Sequence, residues 1–152
     1  MYTVMLIVHS WVRWAVIAAG IAAAYRAISG ASVRRPWTYT DDRAGFWFTM
    51  LLDLQVLFGL VLYFFLSPFT MSALSDFGGA MRNSQVRFWA IEHGFGMIVA
   101  LALAHVGRAR ARKVPEIRRH KVAAIFFVFA VVVMLGSIPW PGMPAGRPLF
   151  RW

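Results

Sequence analysis

Four histidines, His9, His93, His105 and His120, are the residues of this chain best suited to chemistry. There is no cysteine, which excludes disulfides, thiolate nucleophiles, iron–sulfur clusters and covalent haem attachment through C-x-x-C-H. Imidazole nitrogen is then the best iron or soft-metal ligand the chain offers, with methionine sulfur weaker. Other reactive groups interrupt apolar runs. Arg13 follows His9 at i+4, on the same helical face. Asp53 and Gln55 sit within LLDLQVLFGL, and Glu92 precedes His93 within VRFWAIEHGFGMIVALALAHV, Val86 to Val106. No G-x-S-x-G elbow, phosphate loop or H-E-x-x-H metal motif occurs, so hydrolytic chemistry has no support.

The elements that must position these residues are membrane helices. Of 152 residues, 60% are hydrophobic and 14% charged, far from the roughly 45–50% and 25% of soluble domains. Four segments reach the length of about 20 mainly apolar residues that spans a bilayer. They run over about 4–25, 45–65, 86–106 and 122–138, and Pro139 and Pro141 stop the last. The expected fold is all-α, a single-domain integral membrane four-helix up-and-down bundle. The first segment has no basic n-region and is interrupted by His9 and Arg13, so it reads as a retained helix rather than a signal peptide.

Eleven of the sixteen basic residues fall between helices one and two or between three and four. The positive-inside rule then places these loops in the cytoplasm and both termini outside, in a bacterial inner membrane. The net charge of +10 serves orientation and anionic-lipid contact; it forms no soluble basic face for nucleic acid. Residues 67–85 form an outer loop with an apolar surface turn, and 139–152 an extended outer tail suited to the lipid interface or a neighbouring subunit.

Depth relates the polar groups. At the helical rise, His9 lies roughly 7 Å and His93 roughly 10 Å from the same surface. Helices one and three are diagonal in such a bundle, about 12–14 Å apart. A haem held by one imidazole from each side needs a gap of that order. Gly94 and Gly96 would give a flat macrocycle bare backbone, although membrane helices also use glycine simply to pack. Asp53 is about 12 Å deep from the opposite surface. Arg13 pairing with Asp53 or Glu92 is the structural alternative to a haem propionate on Arg13 and proton transfer through Asp53 or Glu92. His105 and His120 lie toward the basic loops on adjacent helices. They read as interfacial histidines, with a second haem as the sharper alternative; two ligands are too few for zinc.

Four segments carry a resemblance: HSWVRW (9–14), LLDLQVLFGLVLYF (51–64), VRFWAIEHGFGMIVALALAHVGR (86–108) and Arg119 to Pro141, ending in SIPWP. Together they resemble small bacterial four-helix integral membrane proteins of cytochrome b-like type, over nearly the whole chain. The matching pattern is His9-x-x-x-Arg13, Asp53-x-Gln55, Glu92-His93 and Ile138-Pro-Trp140. The resemblance implies non-covalent haem b and electron transfer. His9 and His93 are the expected axial ligands, with Arg13, Gln55 and Asp53 around the cofactor. The chain has only four helices and a twelve-residue His93–His105 spacing, unlike the larger di-haem cytochromes b. The expected function is a haem b electron carrier, alone or within a respiratory or photosynthetic complex, with quinone as a candidate partner. An electron carrier or accessory subunit is expected rather than a stand-alone enzyme. The rivals are a cofactor-free accessory subunit, docking through 67–85 and the tail, and a small ion-coupled transporter, homo-oligomeric to complete its path, with Asp53, Glu92 and Arg13 as relay.

Overall fold

Proline marks where the helices cannot continue. Pro36 lies between the first two long helices, Pro115 directly before the last, and Pro139 and Pro141 after it; none interrupts a long helix. A computed structural model describes residues 1–152 and contains helices and no strands. The first span is α1 (Tyr2–Ser32). The second is α2 (Tyr39–Val61), continued by a π-helical turn, Leu62–Leu66. Two short helices follow, α3 (Pro68–Ser75), with proline in its first turn, and α4 (Phe77–Arg82), capped by the Asp76 carboxylate on the Gly79 N–H. The third span combines α5 (Ser84–Arg87), a π-helical turn (Phe88–Glu92) and α6 (His93–Lys113). The fourth is α7 (Glu116–Gly136).

All four spans are long and apolar enough to cross a membrane. Only 22–33% of each apolar window is buried inside the chain, leaving side chains such as Phe95, Phe129 and Val132 facing outward. In water these would be continuous apolar patches; in a bilayer they are the lipid-facing surface. The protein is therefore a multi-pass membrane protein built as a four-helix bundle.

The spans form a ring: α1 packs on α2 and α7, and α6 packs on α7 and α2. Thus α1 and α6 face each other across the diagonal. The α6–α7 seam is made of small residues, with Ala100, Ala104, Ala123 and Ala130 fully buried, so the backbones approach closely. Phe48, Leu52, Val16 and Phe127 fill the centre. The α2–α6 seam packs less tightly and opens into a lateral slit.

The helices overrun their apolar spans at the basic end. There α1 extends to Ser32, α6 to Lys113, and α7 starts at Glu116. Asp41, in the first turn of α2, ties this end together. Its carboxylate accepts bonds from Arg35 (2.6 and 2.7 Å), Arg26 (3.0 Å), and the Thr38 N–H (2.9 Å) and hydroxyl (2.7 Å). The Asp41 hydrogen bonds push the Arg35 guanidinium further above its ordinary pKa, so the pair stays charged at any working pH.

Candidate functional site

At the opposite end, where both termini lie, the ring encloses two imidazoles. His9 projects from the first turns of α1. His93 is the first residue of α6, directly after the π-helical turn Phe88–Glu92. Such a turn inserts an extra residue into the helical ladder and re-aims the side chains that follow it. The carbonyl of Ala90, within that turn, accepts a hydrogen bond from the Tyr63 hydroxyl at 2.7 Å. Tyr63 itself stands on the π-helical turn that ends the second span, so the two irregular turns brace each other across the α2–α6 seam.

The rings of His9 and His93 have centroids 6.3 Å apart and planes at 78°. His93 Nδ1 lies 2.7 Å from the Ser137 carbonyl oxygen. A carbonyl only accepts, so Nδ1 carries the proton and Nε2 presents a lone pair. His9 Nε2 lies 3.2 Å from the Gln55 side-chain amide nitrogen, while its Nδ1 is buried without a partner, as is the Gln55 carbonyl oxygen. One helical turn further along α2, Gly59 lies against His9; a Cβ there would stand 3.3 Å from His9 Cε1.

Two connected spaces surround the pair. One, of about 950 Å³, opens toward the termini and is lined by His9, Arg13, Gln55, His93, Arg147 and Arg151 among others, with no carboxylate. The second, of about 930 Å³, is the lateral slit between α2 and α6. Its walls are Val56, Leu60, Phe64, Ile91, Phe95 and Ile98, with His9 and His93 at its back.

The remaining candidates from the sequence divide. Gln55 and Arg13 join the histidines. Arg13 does not pair with Asp53 or Glu92; its Nη2 donates to the Leu149 carbonyl at 2.6 Å. Asp53 instead faces outward, half exposed, with His105 at 2.8 Å, and lines neither space. Glu92 pairs with Arg87 at 2.7 Å, because the helix turns it about 100° away from His93. His105 and His120 are not brought together. His120 is buried against Trp37, with ring centroids 4.8 Å apart, and on the bare backbone of Gly30, with Asp41 3.8 Å away. His120 is thus a buried residue of the basic end, with its Nε2 3.4 Å from the Pro36 carbonyl oxygen. The tail is not a free extension. Trp11 and Trp14 donate to the Arg151 and Leu149 carbonyls at 3.0 and 3.2 Å, and Phe150 lies against both indoles.

Tyr63, Ser137, Arg147, Arg151 and Asp41 carried little signal in the sequence. Ser137 contributes only its backbone carbonyl, Tyr63 depends on a π-helical turn, and the two arginines act through a tail that folds back. The signal for Asp41 was the Thr38-x-x-Asp41 spacing at a helix start. No protein-family model, curated protein or solved structure matches this chain.

Proposed function

We propose that this membrane protein binds haem b between His9 and His93 and passes electrons. The observation that carries the reading is the imidazole pair on diagonal helices. Two metal–nitrogen bonds of about 2 Å, with about 1 Å from each nitrogen to its ring centre, sum to about 6 Å, close to the separation of the rings. His93 fits the role of ligand, since Ser137 fixes its tautomer in the way carbonyls orient metal-binding histidines. His9 fits with one exchange: its Nε2 must give up Gln55, leaving that amide as a neighbouring hydrogen-bonding group. The apolar slit suits the macrocycle's hydrophobic edge, and Gly59 and Gly94 leave room beside it. When bound, haem b supplies a one-electron couple, and ligation by two histidines favours electron transfer over oxygen chemistry. The chain's own part is to hold both rings, exclude water with Met97, Leu62 and Ile138, and set the tautomer of His93.

The test is an oxidised and reduced absorbance spectrum of the detergent-solubilised protein expressed with ample haem supply. A Soret band that shifts on reduction, and is lost in His93→Ala and His9→Ala, is expected. A colourless protein that also fails to take up added haem would end this reading.

A further inference from the structure

The chain has six Asp and Glu side chains, and none of them lines either space. Asp41 holds Arg26 and Arg35, and Asp42 holds Arg112 with Arg108 at 3.7 Å. Asp53 holds His105, Glu92 holds Arg87, Asp76 caps α4, and Glu116 accepts from the Trp37 N–H. Yet three guanidiniums, Arg13, Arg147 and Arg151, line the space that opens toward the termini beside His9 and His93. None has an acid partner in the chain. The three are partly buried and share a space with no Asp or Glu side chain, so an anion entering it meets unopposed positive charge.

Each arginine is held in place. Arg13 is anchored by the Leu149 carbonyl, and its buried Nε has no partner. The guanidinium of Arg147 lies 5.1 Å from the Phe69 ring centre and 5.0 Å from that of Trp89. These aromatic contacts position the cation without neutralising it. Arg151 is fixed through its backbone by Trp11. Two of the three belong to the tail, so the site is complete only when residues 139–152 fold back over α1.

We propose that Arg13, Arg147 and Arg151 form a carboxylate-binding clasp, closed by the C-terminal segment, that grips the polar edge of the bound ligand. This rests on the haem reading, since haem b carries two carboxylates on one edge and none on the other. The arginines face that edge from the termini end while the apolar slit receives the opposite edge. Guanidinium groups suit this work, since their planar donors match a carboxylate fork.

The experiment compares haem b with haem b dimethyl ester, which keeps the iron and macrocycle and loses both charges. Purified full-length protein is loaded with each, and transfer to excess apomyoglobin is timed. Tail protection is followed in parallel, by mass spectrometry of chymotryptic cleavage after Leu149 and Phe150. Haem b should leave about tenfold more slowly than the ester, as expected for loss of charge-assisted hydrogen bonds. Arg147→Gln with Arg151→Gln should shrink that difference severalfold while keeping the Soret band. Haem b, and not the ester, should protect the tail from chymotrypsin. Equal retention of the two compounds would overturn the clasp and leave the haem reading intact. Failure of both to give a Soret band would overturn the haem reading and the clasp with it. Nanodiscs of phosphatidylcholine with and without phosphatidylglycerol complete the test. Tail protection that follows phosphatidylglycerol content and ignores haem would identify the anion as a lipid headgroup and overturn the carboxylate assignment.

Discussion

Replacing Gly96 with alanine should damage both the bundle and the imidazole pair, and the geometry sets the size of the effect. Gly96 is buried in α6 opposite Ser137, at the end of α7. A Cβ at Gly96 would stand 2.8 Å from Ser137 Cβ and overlap its hydroxyl. Carbon pairs prefer about 3.5–4.0 Å, so the helices must part by roughly 1 Å. The Ser137 side chain cannot swing away freely, because its hydroxyl donates to the Val133 carbonyl at 2.8 Å. Overpacking of this kind costs about 1–3 kcal/mol, against about 1 kcal/mol gained from alanine's better helix propensity. Overlap with two Ser137 atoms puts the site in the upper part of that range, so the balance is a loss of about 1–2 kcal/mol, or roughly 2–8 °C in melting temperature for a chain of this size. The same displacement pulls the Ser137 carbonyl from His93 Nδ1 and frees the ring to change tautomer. The assay is fluorescence-detected melting in detergent, run on Gly96→Ala, Ser137→Gly and the double variant. Ser137→Gly removes the obstructing atoms, so the double variant should recover the loss, a coupling expected for side chains in contact. Gly136→Ala is the control, since nothing lies within 4 Å of its new Cβ and the melting point should hold or rise. A Gly96→Ala protein as stable as its parent, or a double variant no better than the single, would refute the steric reasoning.

Asp41→Asn should lower stability by about 2–3 kcal/mol, less than the 3–5 of a fully buried pair because its arginine partners are partly exposed. Asp53→Asn, with its half-exposed partner, should change stability by less than about 1 kcal/mol, so comparing the two melting curves checks both. If the proposed haem binding holds, Gly59→Leu should fill the space against His9 and abolish the Soret band, while the helical circular dichroism stays that of the parent. Tyr63→Phe removes one hydrogen bond to the Ala90 carbonyl and should cost about 1–2 kcal/mol, read in the same melting assay; an unchanged melting point would show that this brace carries no weight.

The four helices were legible because bilayer thickness imposes a length and composition that few other contexts require. The approach of His9 to His93 could be argued from equal depth alone, since an up-and-down ring puts helices one and three on one diagonal. Depth says nothing of azimuth, however, and that is why the alternative of an Arg13–Asp53 pair does not appear in the structure. Asp53 shares α2 with Gln55, but two residues turn a helix by 200°, so one faces the cavity and the other faces outward. Arg13 found the Leu149 carbonyl because the tail returns to α1, a long-range event that local sequence does not encode. The π-helical turn before His93 left no recognisable mark in FWAIE.

The Asp41 network also bears on the order in which the molecule is made. Its strongest contacts join residues 26 to 41, so the α1–α2 hairpin can lock as soon as those two helices have left the ribosome. The imidazole pair needs α6, and the bond from Trp11 to Arg151 joins residues 140 apart in sequence. The basic end is therefore an early checkpoint of insertion and the termini end a late one. A chain stalled or clipped before the tail would carry a sound first hairpin and an open cavity.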